Sequence, residues 1–288
     1  MKICEGIHQL KIDFYVTSEI KRFVYVYIIT GHYCYLIDTG VAGSEKVIEN
    51  YLESIGYHLD DIKAIFLTHA HPDHMGSAGM IQKKTGCQIY ASYKEKEWME
   101  DIDQQFQERP IPNFYQLLQL SVHVNYTIEE DMLIQLEDSL SVDIIQTPGH
   151  SEGCISFLFN KRILMCGDAI PVVGDIPIYT DALESLFSLE KLYQLPSVDY
   201  YCPAWDNYYS SQMGKIKIQE AKKLIQNIGE CVREFISQER SLDDHELFDK
   251  VCNQMKMHSF KENPLFLKTI LSYRNDNYWV KSYHSRML

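Results

Sequence analysis

The sequence predicts an α/β protein in which a layered domain of mixed strands and helices is followed by a helical C-terminal extension. Apolar runs of strand length alternate with helical stripes from residue 23 to residue 205. From residue 215 onward the strand-like runs stop and helical periodicity takes over. We therefore expect one domain over residues 1–214 and a helical extension over residues 215–288.

The composition is that of an ordinary globular protein. The 288 residues are 45% hydrophobic and 23% charged, and their formal net charge of −13 disfavours nucleic-acid and anionic-membrane partners. The N-terminus is polar where a signal peptide needs an apolar core, and no run reaches the roughly 18 apolar residues of a membrane span. Eight cysteines are scattered without a CxxC pair. We expect a reduced, cytoplasmic protein.

Strands and helices alternate through the first half of the chain. "FVYVYIIT" and "HYCYLI" flank Gly31, which is typical of two antiparallel strands joined by a tight turn. Gly56 and Gly86 each close a helical stripe. In order, we expect strands at 23–30 and 32–37, a helix at 45–56, a strand at 61–69, a helix at 76–86 and a strand at 87–92.

The second half begins with a polar, aromatic stretch over residues 95–120, interrupted by Pro110 and Pro112, which indicates a helical excursion. Strands then resume, and the chain ends in helices. The expected strands lie at 140–150, 154–160, 162–168 and 198–205, and the expected helices at 180–195, 217–238, 242–257 and 264–273.

A cluster of histidines follows the apolar run "AIFL". His69 and His71 stand two residues apart, so at a strand end both point to the same side. Pro72 prevents regular strand pairing and leads Asp73 and His74 into a loop. Imidazoles and carboxylates are the ligands of Zn²⁺ and other borderline first-row ions, so the cluster predicts a metal site.

Two further donors follow later strands. His150 ends "TPGH", a turn that leaves its side chain available, and Asp168 ends "MCGD". Taken alone, Asp168 is better interpreted as a turn cap. Three donor segments, each at a strand end, favour the metal site.

The spaced set His69-x-His71-x-Asp73-His74, His150 and Asp168 resembles the metallo-β-lactamase superfamily, in particular its glyoxalase II-like hydrolases. The resemblance implies a four-layer αβ/βα sandwich and two divalent metal ions, zinc first, with iron or manganese as alternatives. It assigns one metal to His69, His71 and His150, the second to Asp73 and His74, and a bridging role to Asp168. It also implies that Asp38, in "LIDTG", orients the loop that carries the ligands.

One position departs from the family pattern. Trp205 stands where the last histidine ligand of the second metal is expected. Three interpretations are open. Asp206 supplies an oxygen ligand in place of that histidine, the second metal binds weakly or not at all, or His32 from another part of the chain acts as the ligand. We favour Asp206, whose hard donor suits iron or manganese.

The resemblance implies a metal-dependent hydrolase that activates a metal-bound hydroxide. Asp73 is the predicted catalytic carboxylate, orienting the nucleophile and moving its proton to the leaving group. The acidic charge disfavours nucleic-acid processing, the lack of an export signal disfavours a β-lactamase, and a histidine at position 71 disfavours flavodiiron chemistry.

A small ester, thioester or lactone remains as the expected substrate. The alternatives are a phosphodiesterase acting on a small nucleotide or phospholipid, and a non-catalytic metal-binding sensor. The C-terminal helices are interpreted as a buttress, a substrate cover or a homodimer interface.

Overall fold

The computed structural model describes residues 1–239 and 241–274. The chain divides into two compact units, each assembled from several segments. The first unit comprises Met1–Gln146, Gly153–Gly167 and Ser197–Ser210. The second comprises Thr147–Glu152, Asp168–Pro196 and the described residues from Ser211 onward.

The first unit contains two sheets. The strands of the first sheet lie in chain order and are β1 (Lys2–Cys4), β2 (Ile7–Tyr15), β3 (Lys21–Thr30), β4 (Cys34–Ile37), β5 (Ile62–Phe66), β6 (Gln88–Ser92) and β7 (Tyr126–Ile128). Strands β1 to β4 pair antiparallel, and β4 to β7 pair parallel. The carboxyl ends of β4 and β5 therefore meet at one edge of the sheet.

The second sheet has the order β13-β12-β11-β10-β9-β8. Its strands are β8 (Met132–Glu137), β9 (Leu140–Gln146), β10 (Ile155–Phe159), β11 (Ile163–Gly167), β12 (Tyr200–Pro203) and β13 (Tyr209–Ser210). Strands β8 to β11 form an antiparallel meander, and β12 pairs parallel to β11. Every residue of β10 and β11 is buried, as their largely apolar sequences predict.

The two sheets share a hydrophobic core. Phe66 of β5 lies edge-on to Phe157 and Phe159 of β10, with ring centroids 5.4 and 6.3 Å apart. The opposite face of the first sheet is covered by helices α1 (Glu45–Ser54) and α3 (Ala78–Thr85). The unit is thus a sandwich of a helical layer and two sheets.

Short helices complete the first unit: α2 (Pro72–Met75), α4 (Lys96–Glu100), α5 (Ile102–Glu108) and α6 (Phe114–Leu117). Helices α4 to α6 occupy the stretch predicted to be a helical excursion. Helix α2 differs from the sequence prediction, which expected a loop after Pro72. The first turn of a helix leaves its N–H groups without partners inside the helix, so the missing N–H of a proline is tolerated there. Pro72 therefore occupies the first position of α2.

The second unit is mainly helical. Its helices are α7 (Ala182–Gln194), α8 (Ser211–Gln238), α9 (Asp244–Gln254) and α10 (Pro264–Leu271). Lys222 of α8 forms an ion pair with Glu190 of α7, and Phe248 of α9 packs against Phe266 of α10 with ring centroids 5.5 Å apart. The predicted helical C-terminal extension is therefore confirmed over its described residues, with α8 beginning at Ser211. Residues 240 and 275–288 of the predicted extension lie outside the described residues. Within residues 1–239 and 241–274, no helix is long and apolar enough to cross a membrane.

Candidate metal centre

The histidine cluster lies directly after β5, at the edge where β4 also ends. His69 and His74 are fully buried, and His71 is 5% exposed. His71 is the residue that precedes α2, and α2 carries Asp73 and His74. Burial of three imidazoles in one short segment is costly unless their ring nitrogens have partners.

Asp38, at the end of β4, supplies several of those partners. Its carboxylate accepts hydrogen bonds from Thr68 N at 2.8 Å, from Thr68 Oγ1 at 2.8 Å and from His74 Nδ1 at 2.8 Å. The Thr68 hydroxyl, having donated its proton to Asp38, accepts from His69 Nδ1 at 3.0 Å. Asp38 thus orients the ligand-bearing loop, as the resemblance implied.

These bonds fix the tautomers of the two buried imidazoles. With Nδ1 protonated in both His69 and His74, Nε2 carries the lone pair in each ring. Nε2 of His69 faces His71 Nδ1 at 2.9 Å. Two ring nitrogens this close are well suited to sharing one cation, which accepts electron density from both.

The peptide group between His69 and His71 is held on both sides. Ala70 N donates to Glu95 Oε2 at 3.0 Å, and Ala70 O accepts from Gln105 Nε2 at 2.6 Å. The other oxygen of Glu95 accepts from Gly153 N at 2.9 Å. Both side chains are buried. Neither residue was predicted from the sequence, since nothing in the pattern separates Glu95 from the nearby Glu97 and Glu100.

His150 lies in a loop of the second unit that is held by main-chain groups. Its Nδ1 donates to Ile178 O at 2.7 Å, so its Nε2 carries the lone pair. Gly149 O accepts from Thr180 N at 2.8 Å and from Asp181 N at 3.1 Å. Gly149 itself has a φ of +136°, and a Cβ there would lie 2.6 Å from the backbone nitrogen of Ser185. Only glycine fits this position without a shift of the backbone.

Asp168 follows β11 and lies beside His150, with 3.2 Å between Asp168 Oδ2 and His150 Nε2. The preceding residue, Gly167, has a φ of +48°, and a Cβ there would lie 2.9 Å from Thr68. The absence of a side chain at Gly167 therefore allows β11 to approach Thr68, the residue before His69.

Four of the predicted ligands form a compact group: His69, His71, His150 and Asp168. One donor atom from each lies within 4.8 Å of the other three. Three nitrogens and a carboxylate oxygen are a donor set suited to zinc and other first-row ions. In His69 and His150 the Nδ1 atom is hydrogen-bonded, so the Nε2 lone pair of each ring is available to a metal. These residues form a metal-binding group.

Comparison with known proteins agrees with this geometry. The sequence pattern of the metallo-beta-lactamase superfamily matches residues 20–205. The chain belongs to this superfamily. A probable metallo-hydrolase of Methanocaldococcus jannaschii is 29% identical over 151 residues, which cover 51% of this chain and 68% of that protein.

A hydroxyacylglutathione hydrolase of Haemophilus influenzae is 29% identical over 137 residues. The match covers 47% of this chain and 60% of that enzyme. Among solved structures, a metallo-beta-lactamase family protein from Thermus thermophilus superposes with a TM-score of 0.72 at 18% identity, covering 94% of this chain and 93% of that one. The predicted superfamily and α/β sandwich fold are confirmed.

Asp73 and His74, the superfamily positions assigned to a second metal, lie next to the group of four. His74 Nε2 is 3.5 Å from Asp73 Oδ2. His74 is fully buried, whereas the Asp73 side chain is 17% exposed. A second ion held by this pair stays a prediction.

The departure from the superfamily pattern at Trp205 has a structural explanation. The Trp205 ring lies against Phe14 and Phe23, with centroids 6.3 and 6.5 Å away, and the Arg22 guanidinium lies 4.4 Å from it. Asp206 accepts hydrogen bonds from Tyr209 Oη at 2.6 Å and from Asn207 N at 2.7 Å. Asp206 is not in the group of four; its role as a metal ligand stays a prediction.

Proposed function

We propose that the chain is a metal-dependent hydrolase of a small ester, thioester or lactone. The observation that carries the proposal is the buried group of His69, His71, His150 and Asp168, with donor atoms within 4.8 Å of one another. Zinc is the expected ion, and iron or manganese are the alternatives. When bound, such an ion lowers the pKa of a water molecule and polarises the bond to be cleaved.

The protein's own residues divide the remaining work. Asp38 and Thr68 keep His69 in the tautomer that offers Nε2, and the Ile178 carbonyl does the same for His150. Asp73 is the carboxylate that we assign to proton transfer: its side chain is partly exposed, so it is accessible both to water and to a leaving group.

The substrate class draws support from the relatives, which include a hydroxyacylglutathione hydrolase, and thioesters are therefore the first class to test. The net charge of −13 is unfavourable for a polyanionic substrate. In this proposal Asp73, His74 and Asp206 would hold a second ion, and Asp168 would serve as a ligand of both.

The test begins with metal content per chain, measured by plasma mass spectrometry on protein purified without added metal. We expect close to two ions in the wild type, about one in Asp206→Ala, and a large loss in His150→Ala. Wild-type protein without metal would overturn the proposal. Equal content in wild type and Asp206→Ala would remove Asp206 from the ligand set.

Activity is then measured on four probes: an acyl thioester, p-nitrophenyl acetate, a small lactone and bis-p-nitrophenyl phosphate. We expect hydrolysis of an acyl probe, reduced roughly 10²- to 10⁴-fold in Asp73→Asn. Cleavage of the phosphodiester alone would establish the phosphodiesterase instead. A metal-loaded protein inactive on all four would support a binding or sensing role.

A further inference from the structure

Helix α10 contacts the segment that orients His150. The hydroxyl of Thr269 accepts a hydrogen bond from Tyr179 N at 3.0 Å and donates one to Tyr179 O at 2.9 Å. Thr269 is fully buried and Tyr179 is 1% exposed. A single side chain from the C-terminal helix thus satisfies both main-chain groups of a residue 90 positions earlier in the chain.

The side chain of Tyr179 is held from the same direction. Its hydroxyl lies 2.5 Å from that of Tyr273, which follows α10 and donates to Ile225 O of α8 at 2.7 Å. Burial raises the pKa of Tyr179 well above its ordinary value, so the phenol keeps its proton and remains a donor. Tyr179 is therefore anchored through both its main chain and its side chain.

The residues on either side of Tyr179 hold the loop of His150. Ile178 supplies the carbonyl that accepts from His150 Nδ1 at 2.7 Å, and Thr180 N donates to Gly149 O at 2.8 Å. Because consecutive peptide groups are rigid and share their Cα atoms, fixing Tyr179 constrains both of these neighbours. Hydrogen bonds and the two peptide groups on either side of the Tyr179 Cα therefore connect Thr269 of α10 to the loop and imidazole of His150.

We infer that Thr269 is a positioning residue for the metal ligand His150, and that α10 is thereby part of the metal centre. This inference rests on the metal centre proposed above. Without the Thr269 hydroxyl, a buried N–H and a buried C=O lose their partner, and the segment shifts to find others. The Ile178 carbonyl moves with it, and His150 loses its fixed orientation.

The test compares two variants. Thr269→Val keeps the shape of the side chain but removes its hydroxyl, whereas Thr269→Ser keeps the hydroxyl. Zn²⁺ affinity is measured by competition with a chromophoric chelator, and Co²⁺-loaded protein is examined by visible absorption. We expect about 10- to 100-fold weaker Zn²⁺ binding and an altered Co²⁺ spectrum in Thr269→Val. Thr269→Ser is expected to bind within about threefold of wild type, since its hydroxyl makes the same bonds.

Ser272→Ala is the matched control, because Ser272 lies at the end of the same helix and its hydroxyl donates to Thr269 O, at 2.7 Å. Its Zn²⁺ affinity should equal that of wild type. If Thr269→Val does not fold, Tyr273→Phe is tested in its place. This change leaves the hydrogen bonds of Thr269 intact and removes the hydroxyl contact to Tyr179, so Zn²⁺ affinity is expected to fall several-fold. Wild-type affinity in the folded variant overturns the inference.

His150→Ala separates this inference from the proposed function. If His150→Ala binds Zn²⁺ as tightly as wild type, the metal centre itself has been assigned wrongly. If His150→Ala loses affinity while Thr269→Val keeps it, the metal centre stands and only the role of α10 fails.

Discussion

The two segments that carry the clustered histidines are held in different ways. The segment after β5 is fixed by two buried carboxylates, Asp38 and Glu95, which accept from main-chain N–H groups and from side chains. The loop of His150 is fixed by neutral groups, namely the carbonyl of Ile178 and the N–H donors that bond Gly149 O.

This difference determines which substitutions each segment tolerates. Hydrogen bonds to a carboxylate are roughly twice as strong as neutral ones, so the first segment depends on a few strong contacts. The second depends on many weaker contacts and on the backbone conformation of Gly149. We therefore expect single side-chain changes to do most damage at the first segment and backbone changes to do most at the second.

The largest effect is expected for Asp38→Ala. The change leaves the Thr68 N–H, the Thr68 hydroxyl and the His74 Nδ1–H without their acceptor. Each buried donor left unsatisfied costs roughly 1–3 kcal/mol, so the expected total is roughly 3–5 kcal/mol. Urea unfolding in the presence of a chelator measures this cost, and Zn²⁺ competition should show about a 100-fold weaker affinity. Asp13→Ala removes an exposed carboxylate from surface ion pairs and should change stability by under about 1 kcal/mol. Similar costs in both variants would contradict the role of Asp38.

Gly149→Ala tests the backbone of the second segment. Strain at positive φ and overlap with the backbone of Ser185 together are expected to cost about 2–4 kcal/mol. Gly86→Ala is the control, because Gly86 also has a positive φ of +69° but no described atom within 4 Å of the place that a Cβ would occupy. The difference between their melting temperatures reports the crowding at Gly149 together with the greater strain of its φ of +136°. Equal shifts would show that neither adds to the cost.

Glu95→Gln weakens the second carboxylate without removing its shape. The amide has one acceptor oxygen for two donors, Ala70 N and Gly153 N, so one N–H loses its partner at a cost of about 1–3 kcal/mol. Zn²⁺ affinity should fall about tenfold, since Ala70 lies between two ligands. The exposed Glu97→Gln should behave as wild type, and an unchanged Glu95→Gln would show that the neutral amide suffices.

The smallest effect is expected for Ser188→Ala. Its hydroxyl donates to Pro148 O at 2.7 Å, one neutral bond among several that hold the loop of His150. Loss of this bond should cost about 1 kcal/mol in chemical unfolding and change Zn²⁺ affinity by less than about threefold. A loss as large as that of Glu95→Gln would mean that the second segment is not redundantly held.

The four residues of the compact group, His69, His71, His150 and Asp168, were predictable because each follows an apolar strand and their order along the chain resembles the superfamily pattern. The supporting residues were not predictable in this way. Thr269 acts on Tyr179 across 90 residues, and a buried threonine in an amphipathic helix has no local pattern that distinguishes it from any other. Helical propensity and periodicity place α10 correctly but do not indicate what its side chains bond.

The fold shows the same limit. Strand β2, "IHQLKIDFY", was missed because buried His8 and Gln9 interrupt the alternation that marks a strand. Gln9 is accommodated by a hydrogen bond to Tyr27 Oη at 3.2 Å on the neighbouring strand. A buried polar residue is compatible with a strand only when such a partner exists, and the partner is known only once the strands are paired.

The buried cysteines affect how the protein acquires its metal. Within the described part of the chain the eight cysteines form no disulfide, and seven of them are buried. Burial, with a contribution from Glu234, raises the pKa of Cys231 to about 11, so this thiol stays protonated at neutral pH in the folded chain and is a poor metal ligand there. The unfolded chain exposes the same sulfur atoms as competing ligands, and an ion bound to both states stabilises the fold by less than its native affinity implies. The order of folding and metal binding therefore matters: a divalent ion added after folding meets the clustered histidines, whereas one added before folding can also bind the exposed thiols.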